Sequence, residues 1–315
     1  MGDGSTESPR SERRQLISKK ANLERRALIY EFIRAFFREE GFLEVETPVR
    51  MPEIAPEQYI APFTSEGWFL STSPELHMKR LLAAGYEKLF QFSHCFRKGE
   101  RGQWHNPEFT LLEWYRTGAD YLQMLDDTEK LVAKLAGRLG LGTGINYQGQ
   151  NIDLATPWRR TTVTEAFRKT AGWDPVTESN PSRFDTDLVE KVVPGFGGRP
   201  TLLLEYPAAM ASLARLKPGA PKVAERGEVF IGGLEIANAF SELADRKEQE
   251  KRFTHEIDQI QKETGRKAEM PRKFLEALHH LPECGGIALG VDRLVMLLCD
   301  AGNIDDVIAF ATDSI

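Results

Sequence analysis

The sequence predicts an α+β domain built on a mostly antiparallel β-sheet that is flanked by helices. Two strand-like segments enclose a long polar loop at residues 98–107. Further along, the pair Gly232-Gly233 separates two apolar runs, which is the signal of a tight hairpin. Because a hairpin joins neighbouring strands in opposite directions, we expect these strands to form an antiparallel sheet.

The helical segments begin with one over 22–41, where apolar side chains such as Leu28 recur at helical spacing and Gly41 acts as a C-terminal stop. A helix over 75–84 is predicted behind Ser73-Pro74, because serine caps a helix and proline fits its first turn. The region 172–201 is rich in proline and glycine and is the least regular. The other predicted elements are a strand entering Pro48, strands at 88–97, 202–206 and 227–238, a strand opposite 88–97 across the loop, and helices at 121–140, 245–264, 271–280 and 292–301.

Composition limits the classes of protein to which the chain belongs. Its 315 residues are 41% hydrophobic and 28% charged, enough for a large core. A net charge of -6 argues against a protein whose main task is to bind nucleic acid phosphates. No apolar run is long enough for a membrane span or a secretory signal, so we expect a cytoplasmic protein. Cys95, Cys284 and Cys299 form no CxxC pair, which indicates packing in a reducing compartment rather than a zinc site.

The N-terminal region is basic, with a net charge of +3 over residues 1–26. We predict a flexible basic tail over 1–21, solvated and running into a helix face. Docking of an acidic partner on this tail is the alternative.

Alternation along the strand at 88–97 places Arg97 on one face, and Phe109, Glu113 and Tyr115 share a face of the partner strand. If both sets face the same way, the surface offers a cation for phosphate, an aromatic ring for a base, and a carboxylate with a phenol for an ammonium group. Taken singly, Phe109 would be read as core and Arg97 as a surface ion pair. Together they indicate a ligand site.

The segment RGEVFIGGLEIANAFSEL, 226–243, carries a second group of polar side chains. A two-residue turn at Gly232-Gly233 would make Glu228 and Glu235 diagonal neighbours on one face, where they could hold one Mg²⁺. Two carboxylates on a wet sheet face are the alternative. Asn238 and Glu242 add polar groups to an otherwise apolar segment and favour the site.

A glycine-rich run at 285–290 leads into a predicted helix that carries Arg293 in its first turn. Gly290 would let backbone approach a ligand, and a helix N-terminus with an arginine attracts phosphate. Arg293 would then provide a second cation for a triphosphate, opposite Arg97.

These segments resemble the motifs of class II aminoacyl-tRNA synthetases of the lysyl branch, and within it the family of elongation factor P–(R)-β-lysine ligases, paralogues of the lysyl-tRNA synthetase catalytic domain. The resemblance covers about residues 22–311. It implies a catalytic domain over 22–315 without an anticodon-binding OB-fold domain. The motifs that carry the resemblance are GFLEVETP at 41–48, TSPEL at 72–76, FRKGERGQWHNPEFTLLEWY at 96–115 and GGIALGVDRLVML at 285–297. The strongest local matches are LEVETP, TSPELHMKRLL, HNPEFTLLEWYR, VAERGEVFIGGLEIANAF and GVDRLVML, and the last match is VIAF.

The resemblance also implies roles for individual residues, with Arg97 and Arg293 as the catalytic cations. Gly99 stands where relatives have a glutamate, with Glu100 displaced by one position, and Ala237 replaces a glycine of lysyl-tRNA synthetases. Metal binding is implied for Glu228 and Glu235. ATP binding is implied for Arg97, Lys98, Gly99, Glu100, His105, Asn106, Phe109, Glu228, Val229, Gly290 and Arg293. Substrate binding is implied for Ser73, Pro74, Glu75, Glu113, Tyr115, Glu235, Asn238 and Glu242.

The implied activity is formation of an acyl-adenylate from ATP and lysine or (R)-β-lysine with Mg²⁺, followed by transfer to a lysine side chain of elongation factor P. The resemblance also implies a homodimer with residues 41–50 near its interface, and tRNA is not expected as a partner. Two alternatives remain open. One is a free-standing lysyl-tRNA synthetase-like or small-molecule ligase, and the other is a catalytically silent regulatory paralogue.

Overall fold

The computed structural model describes residues 9–314, which form a large β-sheet with helices on both faces. None of the described helices is long and apolar enough to cross a membrane. The helices are α1 Pro9–Glu39, α2 Glu75–Ala83, α3 Tyr121–Arg138, α4 Val163–Thr170, α5 Pro181–Asp187, α6 Arg246–Thr264, α7 Arg272–Ala277 and α8 Val291–Cys299. The strands are β1 Leu43–Glu44, β2 Arg50–Met51, β3 Thr64–Ser65, β4 Trp68–Leu70, β5 Lys88–Phe96, β6 Glu108–Thr117, β7 Gly144–Tyr147, β8 Gln150–Asp153, β9 Arg159–Thr162, β10 Thr201–Pro207, β11 Leu216–Lys217, β12 Ala220–Ile231, β13 Leu234–Ser241 and β14 Cys284–Gly290.

The main sheet has the strand order β1-β5-β6-β14-β13-β12-β10-β9, with β11 paired to β12. Only the two outer pairs, β1 with β5 and β10 with β9, are parallel, and all the other pairs in this sheet are antiparallel. The predicted α+β class with a mostly antiparallel sheet is therefore confirmed. Its centre consists of β6, β14 and β13.

The β5–β6 hairpin has the register that alternation predicts. Cys95 pairs with Phe109 and Gln91 with Glu113, while the backbone N–H of Arg97 donates to the carbonyl of Pro107 at 2.9 Å. Because paired residues point to the same face of a sheet, the Arg97 end of β5 and the polar residues of β6 face one way.

The β12–β13 hairpin turns at Gly232-Gly233, both with positive φ, as a tight hairpin turn requires. Phe230 pairs with Glu235 as predicted. A bulge between Val229 and Phe230 then shifts the register, so that Glu228 pairs with Asn238. The uniform register on which the predicted diagonal pair of Glu228 and Glu235 depended is therefore wrong, because a bulge adds one residue to one strand only.

Successive residues of β6 point alternately into the hydrophobic core and towards the opposite face of the sheet. Leu112 and Trp114 lie in the main hydrophobic core, and Phe37 of α1 packs against Trp114 with ring centroids 5.1 Å apart. The other face carries Glu113 and Tyr115 towards α2. One face of the strand is thus buried against helices, and the opposite face is free to line a cavity.

Three predicted segments differ from the structure. The first helix begins at Pro9, so residues 9–21 are helical where a flexible tail was predicted, and residues 1–8 lie outside the described part. Its buried face is formed by Ile29 and Ile33, whereas Leu28 is 46% exposed. The irregular region 172–201 contains α5 and two further short helical turns. Its aromatic side chains are buried against α4, where Phe184 stacks on Phe167 with ring centroids 4.6 Å apart.

Candidate active site

A cavity of about 440 Å³ opens on the exposed face of β6, β14 and β13. The loop between β5 and β6 and the beginning of α8 form one end, and the beginning of α2 lies at the other. This volume is in the range of small-molecule binding sites. Both ends are lined by charged and aromatic side chains, so the cavity can hold an elongated ligand that has charges along its length.

Glu113 forms the centre of the donor end, by which we mean the part of the cavity beside α2. It is 1% exposed and accepts hydrogen bonds from the hydroxyls of Ser73 and Tyr115, both at 2.7 Å. Burial and the neighbouring Glu75 raise the pKa of Glu113, and the hydrogen bonds from the two hydroxyls lower it, so that the pKa is raised to about 7. A cationic ligand here would favour the ionised carboxylate.

Lys79 lies under the same end of the cavity and is 1% exposed. Its ammonium contacts Glu75 at 2.5 Å and also forms an ion pair with Glu242. Burial raises the pKa of Glu242 to about 8, partly offset by Lys79. The Lys79 ammonium is therefore shared by two carboxylates. Glu113 adds a third carboxyl group to the donor end, so acidic groups outnumber cations there, which suits a diammonium ligand.

Gly286 on β14 leaves the space that this cluster occupies. A Cβ atom at this position would lie 2.2 Å from Glu242 Oε1 and 2.2 Å from a ring carbon of Tyr115. The glycine is therefore required for the two polar side chains to meet. This is a steric reason for glycine within a strand.

The opposite end, which we call the nucleotide end, combines arginines with aromatic side chains. The Arg97 guanidinium lies 5.1 Å from the ring centroid of Phe109, and its Nε is buried with no hydrogen-bond partner among the described residues. Arg293 Nη2 lies 2.6 Å from His105 Nε2, and its Nη1 donates to the backbone carbonyl of Glu235 at 3.0 Å. Two cations beside a ring suit a triphosphate and a base.

Buried Asp292 fixes the beginning of α8 against the sheet. Its carboxylate accepts from Arg26 Nη1 at 2.6 Å and from the backbone N–H of Thr110 at 2.8 Å. The next residue, Arg293, is thereby held at the rim of the cavity, in the first helical turn as predicted.

Glu228 and Glu235 occupy different environments. Glu235 lines the cavity and is 43% exposed, whereas Glu228 is buried and accepts from Arg226 at 2.7 Å and from the hydroxyl of Tyr206 at 2.5 Å. Burial and then Glu235 raise the pKa of Glu228 to about 7. Within the described residues, no group of three or more potential ligands could hold a metal alone. Carboxylate oxygens near a triphosphate site nevertheless fit a Mg²⁺ that arrives with ATP, since this ion uses one or two carboxylates and phosphate oxygens.

Most of the predicted site residues line one cavity. Pro74, Lys98, Gly99, Glu228 and Val229 do not line it. Those that do are Ser73, Glu75, Arg97, Glu100, His105, Asn106, Phe109, Glu113, Tyr115, Glu235, Asn238, Glu242, Gly290 and Arg293.

The lining also includes residues that were not predicted, among them Arg226, Trp104 and Glu57. Arg226 precedes Glu228 by two residues on β12, so alternation along the strand could have indicated it. Trp104 lies within the loop whose neighbours were singled out. Glu57 lies in an irregular segment before β3, where no periodicity identifies a site residue.

The mostly antiparallel sheet holds an arginine against an aromatic ring at one end of the cavity and buried carboxylates at the other. This arrangement is that of the class II aminoacyl-tRNA synthetases. The chain belongs to the family of class II tRNA synthetases (D, K and N), whose model matches residues 13–314.

Two kinds of relatives share this domain. The elongation factor P–(R)-β-lysine ligases of Haemophilus influenzae and Proteus mirabilis are each 39% identical, over 93% and 92% of this chain and 95% and 94% of their own lengths. The lysine–tRNA ligase of Moorella thermoacetica is also 39% identical, over 91% of this chain. The alignment spans only 64% of that ligase.

Proposed function

We propose that this protein activates (R)-β-lysine or lysine with ATP and transfers the acyl group to a lysine side chain of elongation factor P. The observation that carries the proposal is the carboxylate cluster of Glu75, Glu113 and Glu242, which lies in the same cavity as Arg97 and Arg293. Such a cavity matches a ligand with two ammonium groups next to a nucleotide. The names of the relatives from Haemophilus influenzae and Proteus mirabilis support the acceptor.

In the first step, an oxygen of the donor carboxylate attacks the α-phosphorus of ATP, and the bond to pyrophosphate breaks. Arg97 neutralises charge on the α-phosphate, while Arg293 holds the departing phosphates and Phe109 stacks under adenine. Glu235 and Glu228 would hold Mg²⁺, which would supply further positive charge to the phosphate oxygens. Positioning and charge neutralisation account for the catalysis, so no enzyme nucleophile is needed.

In the second step, the uncharged amine of the acceptor lysine attacks the acyl carbonyl carbon. AMP leaves with the electrons of the broken bond, the acceptor nitrogen loses a proton to solvent, and an amide is formed. Glu113, Tyr115 and Glu242 keep the distal ammonium of the donor in place, and Asn238 contacts its carboxylate before activation. We propose a homodimer that acts in the cytoplasm, with residues 41–50 near its interface.

The decisive experiment is ATP–pyrophosphate exchange with Mg²⁺ and, separately, α-lysine, (R)-β-lysine or other amino acids. Elongation factor P is then added and its mass determined. Exchange with a gain of one lysyl unit on the factor is the expected result. Exchange without this gain would contradict the proposed acceptor, and no exchange with any donor would favour a silent paralogue.

Aminoacylation of tRNA is the second candidate, because lysine–tRNA ligases are 39% identical to this chain. The same reaction with lysine-accepting tRNA in place of elongation factor P tests it. A lysyl gain on tRNA alone would replace the proposed acceptor and leave the proposed activation step intact.

A further inference from the structure

We propose that Glu57 is a specificity residue that binds, together with Glu75, the ammonium group nearest the donor's carboxylate. This inference rests on the proposed function, since it assigns a partner to one part of the same donor. Glu57 lies outside every segment on which the resemblance depends.

The first argument is that Glu57 alone lacks a protein partner among the carboxylates that line the described cavity. No hydrogen bond or ion pair within residues 9–314 engages its carboxylate. The other six do have partners: Glu75 and Glu242 contact Lys79, Glu100 contacts Arg97, Glu113 contacts two hydroxyls, Glu235 contacts Arg293, and Asp292 contacts Arg26.

An unpaired carboxylate in a protein cavity is unfavourable until a cation meets it. Burial raises the pKa of Glu57 to about 7, an effect that the charge of Arg97 opposes and that of Glu75 reinforces. A positively charged ligand would remove this penalty.

The second argument is position. Glu57 lines the same cavity as Arg97 and Glu75, and the charges of both residues act on its carboxylate, that of Arg97 more strongly. The donor's carboxylate must reach the α-phosphate, whereas its distal ammonium meets Glu113. The remaining ammonium group, one or two carbons from the carboxylate, therefore falls beside Glu57 and Glu75.

The third argument is that Glu75 cannot neutralise this ammonium alone. Its Oε1 lies 2.5 Å from Lys79, so its charge is already shared. Glu57 adds a second carboxylate, one that forms no hydrogen bond or ion pair within the described residues and feels the charge of Arg97 only through space. Because the two carboxylates come from separate segments, they can approach the ammonium from different directions.

The segment that follows Glu57 is anchored by hydrogen bonds to other parts of the fold. Gln58 donates through its backbone N–H to Glu256 at 2.8 Å, and Ile60 accepts from Arg266 at 3.1 Å. The carbonyl of Ala61 accepts from the backbone N–H of Lys98 at 2.7 Å. Glu57 is thus presented by an anchored backbone, as a specificity residue requires.

The test is calorimetric binding of three compounds to the full chain: lysine, (R)-β-lysine, and 6-aminohexanoic acid, which lacks the ammonium near the carboxylate. We expect Glu57→Gln to weaken both diamino acids roughly tenfold to a hundredfold, the value of one hydrogen bond to a charged group. Binding of 6-aminohexanoic acid should stay unchanged. Glu53→Gln is the matched control, since Glu53 is on the same segment but does not line this cavity.

Equal weakening of all three compounds, or no weakening, would overturn the role of Glu57. A separate titration of ATP alone serves as a further control: if Glu57→Gln weakened ATP binding and left donor binding unchanged, Glu57 would act through Arg97 and its proposed role would be overturned. Donor binding is measured without ATP, so failure of pyrophosphate exchange with intact donor binding would count against the proposed function alone. If the wild-type chain bound none of the compounds, both proposals would fall.

Discussion

Lys79 and Glu242 form an ion pair beneath the cavity in which each side chain is only 1% exposed. Glu75 contacts the same ammonium at 2.5 Å. A buried cation between two carboxylates fixes their spacing, and this spacing is what a donor of defined length would encounter. The pair is therefore both a structural element and a part of the candidate site.

Lys79→Met should destabilise the protein by about 3–5 kcal/mol at pH 8, because it leaves buried carboxylates without a cation. The loss should be smaller at pH 5.5, where Glu242, whose pKa is raised to about 8, is protonated and uncharged. Urea denaturation at the two pH values measures the free energy of unfolding. Lys134→Met is the control, since its side chain is 48% exposed and its pair with Glu39 should contribute less than about 1 kcal/mol. A pH-independent loss would contradict the electrostatic explanation.

Arg97→Ala should reduce ATP–pyrophosphate exchange by roughly a hundredfold to a thousandfold, the size expected when a group that stabilises transition-state charge is removed. The melting temperature should hardly change, because Arg97 contacts Phe109 and Glu100 only at the cavity surface. Arg34→Ala, which removes a surface pair with Glu44, provides the control. Retained pyrophosphate release in the Arg97 variant would exclude its assigned role.

Donor affinity should rise by about tenfold or more between pH 6 and pH 8. The pKa values of Glu113 and Glu242 are raised to about 7 and about 8, so both carboxyl groups are protonated in the ligand-free protein at low pH. The protonated groups stabilise the folded state, and this stability is lost as the pH rises through these two pKa values. A diammonium donor favours the ionised forms and must displace these protons at low pH. Calorimetry in buffers of different ionisation enthalpy counts the protons released.

Glu113→Gln should lower the number of protons released on donor binding by roughly one. It should also weaken donor binding and leave ATP binding unchanged. Equal loss of both ligands would mean that Glu113 is misplaced at the donor end. A donor affinity that does not depend on pH in the unmodified protein would contradict the raised pKa values.

Gly286→Ala should abolish donor binding, because the new methyl group would overlap Glu242 and Tyr115 at 2.2 Å. The free energy of unfolding should also fall, since the buried side chains of Glu242 and Tyr115 have little room to move away from the new methyl group. Gly137→Ala in α3 is the control: no atom lies within 4 Å of the added carbon, and alanine should be neutral or stabilising there. Donor titration of the Gly286 variant at full affinity would contradict this view of the cavity.

Where the candidate site residues lie on regular strands, the strand face on which the sequence placed them agrees with the structure. Alternation placed Arg97, Phe109 and Glu113 on one face, and the observed register agrees. It was less successful at Glu228, because a bulge is not visible in a pattern of alternation. Glu57 was missed for a related reason: an irregular segment has no period from which the direction of a side chain follows.

By itself, the sequence determined the α+β class, the antiparallel hairpins and the order of most elements, because periodicity and glycine turns act over short distances along the chain. Only the tertiary structure decided which charges share a partner. Lys79 meets Glu242 across more than 160 positions of sequence, and Glu57 lies near Arg97 without any local signal. Such contacts depend on how distant segments pack over one face of the sheet. The charge balance of the cavity is therefore set by the tertiary structure and not by any local sequence pattern.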